Sequence, residues 1–243
     1  MNRFYYDLHV HSCLSPCADN DSTPASLAGM AAVIGLDVVA LTDHNSARNC
    51  PAFFEAAEAY GIIPIAGMEL TTSEDVHMIC LFPSLDLALS FNDVVDARLM
   101  KVKNRPDIFG EQLICNAEDE VIGQPDNLLS VATDISVEAL PSLISEYDGI
   151  CYPAHIDREA NGIVAVLGTL PDEPYFTTVE MRSKELYGEY SERFSLEGRT
   201  VVFNSDSHVL GEMNDREHYF DAEAERDDRE GVVRELFKQM RCL

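Results

Sequence analysis

The chain has 243 residues, 46% of them hydrophobic, enough to bury one sizeable core as a single domain spanning 1–243. Its 43 Asp and Glu against 17 Lys and Arg give a formal net charge of −26, a field that repels anionic membranes and long duplex nucleic acid. No run of about 18 apolar residues offers a membrane span. Met1-Asn2-Arg3-Phe4 lacks a leader's apolar core, and seven cysteines at irregular spacing fit reduced thiols in a cytoplasmic setting.

The first stretch, Tyr5-Tyr6-Asp7-Leu8-His9-Val10-His11, reads as a strand running into a polar loop. Residues i and i+2 of a strand share a face, so His9 and His11 are expected to converge. Thr23-Pro24 then opens a helix that Gly35 closes. The nearly continuous apolar run from Asp37 to Thr42 predicts a strand buried on both faces. A helix from Pro51 to Tyr60 and strands from Ile62 to Glu69 and Val76 to Phe82 follow, with Pro64 expected to weaken the third strand or mark a bulge. Residues 84–136 are less regular. They read as a helix over Leu85–Arg98 and a mixed segment with Lys101, Lys103 and Arg105, an elaboration on the scaffold, since no flexible linker isolates them.

Alternation resumes with helices near Val137–Tyr147, Ser183–Phe194 and Gly231–Met240 and strands at Gly149–Ala154, Thr177–Met181 and Thr200–Asn204. The pattern predicts an α/β fold with mostly parallel strands. The acidic run from Asp221 to Glu230 reads as a solvated face.

His9, His11, His44, His155 and His208 all fall at or just beyond the ends of predicted strands, Glu69 ends the third, and His77 lies near the start of the fourth. In parallel β/α proteins the carboxyl ends of strands build the site. His, Asp and Glu gathered there suit divalent cations. Only His218 reads as a surface residue.

Asp7-Leu8-His9-Val10-His11-Ser12, Leu41-Thr42-Asp43-His44-Asn45, Gly67-Met68-Glu69, His77, Pro153-Ala154-His155 and Ser205-Asp206-Ser207-His208 together resemble the PHP (polymerase and histidinol phosphatase) family of metal-dependent phosphoesterases. The resemblance implies an irregular (β/α)7-type barrel and two to three divalent ions: zinc, manganese or iron, with magnesium a further candidate. One ion would be held by His9, His11, Glu69 and Asp206, a second by Glu69, His77 and His155, and a third by His44 and His208.

The third site departs from the common pattern. Pro16 and Cys17 stand where many relatives carry Asp or His, leaving Asp19 for Mn²⁺ or Mg²⁺, Cys17 for Zn²⁺ or Fe²⁺, or neither.

By the same resemblance, Glu69 bridges two ions and Asp206 orients a bridging hydroxide that attacks a phosphorus centre. Arg158, three residues beyond His155, is placed to fork onto a substrate phosphate; Arg182, Lys184 and Arg48 are candidates on the same logic. Asp7 and Asp43 precede ligand positions and point away from them on a strand, as packing or supporting groups. The expected substrate is a small phosphorylated metabolite, a nucleotide or a short oligonucleotide end. An amidohydrolase-type enzyme and a non-catalytic metal-binding regulatory module are the alternatives.

Overall fold

In the computed structural model, which describes residues 1–241, the first third of the chain follows the expected alternation. Strand β1 (Asn2–Val10), helix α1 (Pro24–Ile34), strand β2 (Val38–Leu41), helix α2 (Cys50–Tyr60) and strand β3 (Ile63–Thr71) succeed one another, and the three strands pair in parallel. Pro24 opens α1, where an N–H would have no helical partner, and Gly35 closes it at φ 85 with its N–H on the Ala31 carbonyl. The cap comes from far away: Asp119 accepts the Ala25 N–H and the Thr23 hydroxyl.

β3 runs unbroken through Pro64, contrary to expectation. The Ile63 N–H faces β2, so the Pro64 nitrogen faces the other way, at a level that the next strand's ladder does not reach.

Only Thr72 to Val76 separate β3 from β4 (His77–Phe82), too few residues for a crossover helix, so β4 returns antiparallel. Helices α3 (Leu85–Arg98) and α4 (Pro106–Phe109) and a small hairpin, β5 (Ile114–Cys115) with β6 (Val121–Gly123), occupy the irregular middle. This elaboration is stitched to the scaffold. Asn45 donates to the Leu129 and Val131 carbonyls, and Leu14 packs with Leu99 and Leu129. After α5 (Leu140–Ser145), strand β7 (Ile150–Pro153) pairs antiparallel with β4.

Beyond the short α6 (Ile163–Leu167), strands β8 (Thr178–Met181) and β9 (Thr200–Phe203), separated by α7 (Tyr187–Phe194), form a parallel pair of their own. A strand not foreseen in the acidic tail, β10 (Tyr219–Ala222), lies antiparallel to β1 ahead of α8 (Arg229–Met240).

The six-stranded sheet therefore runs β10-β1-β2-β3-β4-β7 and is mixed. The β8–β9 pair joins the chain after β7 and after β1 through backbone hydrogen bonds from the Ile156 N–H to the Glu180 carbonyl and from the His11 N–H to the Ser207 carbonyl, each 2.9 Å. The result is an α/β fold with a curled, half-barrel sheet. Where a (β/α)7-type barrel of mostly parallel strands was expected, the sheet is mixed: the short Thr72–Val76 link forces β4 to return antiparallel, and β7 and β10, reached by longer connections, also join antiparallel.

One face of the sheet packs under α1, α2 and α3 through Val39, Leu41, Met68, Phe53 and Phe91. The face inside the curl carries Ile63 and Ile65 of β3 and Ile79 and Leu81 of β4, in one cluster with Val232, Leu236 and Phe237 of α8. Glu69 and His77 share these strands' parity, so the curl is apolar at depth and carries metal-type side chains at its mouth. In β1 one extra residue between Asp7 and Val10 breaks the register with β2. Leu8 and Val10 consequently fall in different clusters, and the bulge re-aims the end of the strand that bears His9.

Gly67 fixes the approach of β3 to β4, since a Cβ there would lie 2.6 Å from the Cys80 carbonyl oxygen and 2.8 Å from a Leu81 methyl. We expect Gly67→Ala to lower stability to urea by about 1–3 kcal/mol. Gly211→Ala, where a Cβ meets nothing within 4 Å, should stay within about 0.5 kcal/mol. Equal midpoints for the two variants would contradict this packing.

Candidate metal centre

Glu69 is fully buried, and five imidazoles crowd its carboxylate. Oε1 lies 2.7 Å from His77 Nδ1, 3.0 Å from His155 Nε2 and 3.5 Å from His9 Nε2. Oε2 lies 3.0 Å from His44 Nδ1 and 3.3 Å from His11 Nε2. His77 reaches this point because β4 is antiparallel: the start of β4 lies at the same end of the sheet as the finish of β3. Thr71 pairs with His77 in the ladder.

Asp206 approaches from the opposite side, with Oδ1 3.3 Å from His9 Nε2 and 3.4 Å from His11 Nε2. His208 Nδ1 is 3.6 Å from the same oxygen. The expected convergence of His9 and His11 is observed, with the two Nε2 atoms 3.0 Å apart.

Among the described residues, three overlapping sets of donor atoms lie close enough together to share a cation: His9, His11, Glu69 and Asp206; His44, Glu69 and His77; and His11, His44 and His208. The first matches the set implied by the family resemblance. In the second, His44 stands beside Glu69 and His77, where His155 was expected, although His155 also contacts Glu69. Near the third, Cys17 Sγ lies 3.2 Å from His44 Nε2. The Asp19 carboxylate instead accepts the Asp21 N–H at the surface, while the Asp19 N–H bonds the His208 carbonyl at 2.9 Å.

The donor chemistry fits divalent ions. His44 Nδ1, Glu69 Oε2, His77 Nδ1 and Asp206 Oδ1 are buried and have no hydrogen-bond partner, though each has a counter-charge within ion-pair distance. Lone pairs left unpaired in this way cost free energy unless a cation takes them.

Behind the donors stand groups that orient them. Glu180, fully buried on β8, accepts from His9 Nδ1 at 2.8 Å, the His155 N–H at 2.9 Å and Asn204 Nδ2 at 2.7 Å. It fixes the tautomer that leaves His9 Nε2 facing the cluster. The Ser15 hydroxyl donates to Asp43 at 2.7 Å, so its lone pairs receive His11 Nδ1–H at 2.9 Å and the His44 N–H. Asp43 is thus a buried support, also bonded by Ser12. Asp7 lies outside the cluster and accepts the Ser205 and Asn214 amides.

Glu180 and Ser15 were missed in the sequence. Glu180 had a visible signal, as an acid inside the strand Thr178–Met181, whereas Ser15 had none. His155 and Asp206 adopt positive φ, 27° and 52°, which costs a non-glycine residue roughly 1–3 kcal/mol each.

Of the expected phosphate-binding side chains, Arg158 Nη1 is 2.8 Å and Arg182 Nη1 3.8 Å from Asp206 Oδ2, both about half exposed. Lys184 is exposed nearby in sequence, and Arg48 is committed to Asp96 on α3. His218 is not a free surface residue, since its ring stacks on Phe203 at 5.4 Å.

Without a cation, protons take its place. Burial disfavours charge on His9, yet Glu180, Glu69 and Asp206 push its pKa well above the usual histidine value. Burial likewise opposes charge on His11 and His44, but the adjoining Asp206 and Glu69 carboxylates raise the first, and Glu69 and Cys17 push the second up to about 10. Burial would raise Glu69 and Asp206; the surrounding imidazoles hold both well below the carboxylate range. Burial opposes the Cys17 thiolate, but hydrogen bonds from His208 and His44 bring its pKa down to about 5.

These upward shifts favour protons on His9, His11 and His44, which a divalent ion must displace. Binding should release protons and tighten as pH rises. Manganese titration calorimetry in buffers of different ionisation enthalpy should show buffer-dependent heats in the sense of proton release. Identical heats in every buffer would contradict this charge state.

The PHP domain family matches residues 7–238. An error-prone DNA polymerase from Nocardia farcinica is 40% identical over 67 residues, 28% of this chain and 6% of the polymerase. Among solved structures, the lesion-specific endonuclease PfuEndoQ from Pyrococcus furiosus superposes with a TM-score of 0.70 at 16% identity, covering 100% of this chain and 56% of the endonuclease. A proposed metal-dependent phosphoesterase from Bifidobacterium adolescentis gives 0.60 at 19% identity, covering 98% of this chain and 95% of that protein. At these identities the two structures speak for the fold alone, and the chain spans little more than half of the endonuclease and a small part of the polymerase. The family match, in contrast, runs through every donor described above from His9 to His208, and the chain belongs to the PHP domain family.

Proposed function

We propose that this protein is a metal-dependent phosphoesterase that hydrolyses a small phosphorylated metabolite, a nucleotide or the end of a short oligonucleotide. The observation that carries the reading is the pairing of a buried His/Glu/Asp donor cluster with two half-exposed arginines, Arg158 and Arg182, at its mouth. In a chain of net charge −26, cations beside an acidic cluster mark where an anion is received. His9, His11, Glu69 and Asp206 would hold one ion, Glu69 and His77 a second with His155 or His44, and His44, His208 and Cys17 a third. Bound there, divalent ions supply a water acidic enough to ionise near neutral pH and offset charge on the phosphoryl oxygens.

The chain's own residues complete the chemistry. Arg158 neutralises Asp206 Oδ2 in the free protein and turns its planar donors to a substrate phosphate when one enters. Arg182, on the next loop, approaches the same oxygen from farther off and adds a second cation for the phosphoryl group. Glu180 and the Ser15–Asp43 pair keep His9 and His11 from swinging out of the donor arrangement.

With manganese and a p-nitrophenyl phosphodiester, Asp206→Asn is expected to lower kcat by about a hundredfold or more. Arg158→Ala should raise KM roughly tenfold, the worth of a charged hydrogen bond. Chelation should abolish turnover and manganese restore it. Activity that survives both Asp206→Asn and chelation would sink the proposal, as would a preparation that cleaves amides but no phosphate ester. For the third site, cobalt-loaded protein should show near-ultraviolet thiolate charge-transfer absorption that Cys17→Ser removes and Asp19→Asn leaves. No such band in the cobalt-loaded wild-type protein, or a band that persists in Cys17→Ser, would remove Cys17 from the site.

A further inference from the structure

Strands β7 and β8 are neighbours, but among the described residues no ladder joins them. The loops that follow them carry Arg158 and Arg182, so something other than sheet pairing must hold those loops together. Three ties do so. The Ile156 N–H donates to the Glu180 carbonyl at 2.9 Å, and the His155 N–H donates to the Glu180 carboxylate at 2.9 Å. The third tie is the carboxylate of Asp157. Half-buried between the two loops, it accepts the Arg182 N–H at 3.0 and 3.1 Å and the Ser183 N–H at 2.8 Å.

Two consecutive amides just past the end of a strand have no ladder partner, and here one carboxylate takes both. Asp157 uses its oxygens there and not on the arginines beside it. Among the described residues neither guanidinium pairs with Asp157; Arg158 Nη1 and Arg182 Nη1 both approach Asp206 Oδ2 instead, at 2.8 and 3.8 Å. The far side of the Arg158 turn is fixed as well. The Arg158 N–H closes the turn on the His155 carbonyl at 2.9 Å. Gly162 packs so tightly behind it that a Cβ would lie 2.9 Å from the His155 carbonyl oxygen and 3.0 Å from that of Arg158.

We propose that Asp157 is a positioning residue for the substrate phosphate. It locks the loops after β7 and β8 into one platform, from which Arg158 and Arg182 meet a single phosphoryl group. Asp157 touches neither substrate nor ions and acts through the arginine pair. The assignment rests on the phosphoesterase reading and adds to it the element that keeps both cations in place. Because both guanidiniums converge on one oxygen in the free protein, a phosphoryl group entering beside Asp206 finds them already aligned, which lowers the cost of ordering them. Without Asp157 the Arg182 and Ser183 amides turn to water, and Arg182, the more distant cation, loses its place first.

The test uses the full chain loaded with manganese. Binding of inorganic phosphate is followed by calorimetry, and hydrolysis of the p-nitrophenyl phosphodiester by absorbance. Asp157→Ala should weaken phosphate binding and raise KM by about tenfold each, the worth of one charged hydrogen bond, with kcat and manganese affinity unchanged within about twofold. Asp157→Asn keeps an oxygen that can take both amides and should stay within about threefold of wild type. In an Arg158→Ala/Arg182→Ala background, adding Asp157→Ala should change phosphate affinity by less than about twofold, since its effect passes through the arginines. Amide exchange at Arg182 and Ser183 should quicken in Asp157→Ala.

Phosphate affinity unchanged in Asp157→Ala overturns the assignment. So does an equal fall in manganese affinity, which would make Asp157 a support for His155, or a loss that persists in the background lacking both arginines. An Asp157→Asn variant as weak as Asp157→Ala overturns it too, because charge and not the two amide bonds would then decide. Wild-type protein that binds phosphate with the expected dependence on Asp157 but cleaves no ester counts against the phosphoesterase reading alone. Wild-type protein that binds no phosphate removes both.

Discussion

Everything in this fold answers to one buried carboxylate. Glu69 has no solvent contact and sits among five imidazoles, with a second acid, Asp206, across the same gap. Desolvating two anions is expensive unless positive charge accompanies them. The upward-shifted pKa values of His9, His11 and His44 favour protons there that would supply it, but imperfectly, because several of the facing atoms make no hydrogen bond. Cations that accept lone pairs from all sides satisfy the same atoms better, and our functional reading follows from that difference.

The strands are arranged to meet this requirement. The bulge in β1 re-aims His9, the antiparallel return of β4 delivers His77, and the β3–β4 approach at Gly67 sets the level of Glu69. Glu180 ties His9 of β1 to the residues following β7 and β9 through one carboxylate. The positive φ angles at His155 and Asp206 fall where these constraints are densest, consistent with strain tolerated because the surroundings over-determine the backbone.

The donor residues were legible because each stands at a strand end or beside a recognisable turn, and a His or Asp there has few structural reasons to exist. Topology was less legible. Alternating strands and helices suggested a parallel barrel, but the short Thr72–Val76 link already required an antiparallel return, and attention to its length would have explained why His77 opens its strand. β10 was hidden because Tyr219–Ala222 is short and lies in an acidic run that reads as solvated. Cys17 and Asp19 could not be separated along the chain, since two residues of loop place one side chain at His44 and leave the other at the surface. Ser15 acts only through a hydroxyl between His11 and Asp43, a role that no local pattern announces.

The account is tested most directly by anomalous diffraction from crystals of the protein grown with manganese, with data collected on either side of the metal's absorption edge. It predicts discrete anomalous peaks enclosed by His9, His11, Glu69 and Asp206, and by Glu69, His77 and the adjoining histidines. A well-ordered structure with Glu69 still paired to protonated imidazoles and no anomalous density at the mouth of the half-barrel would contradict it.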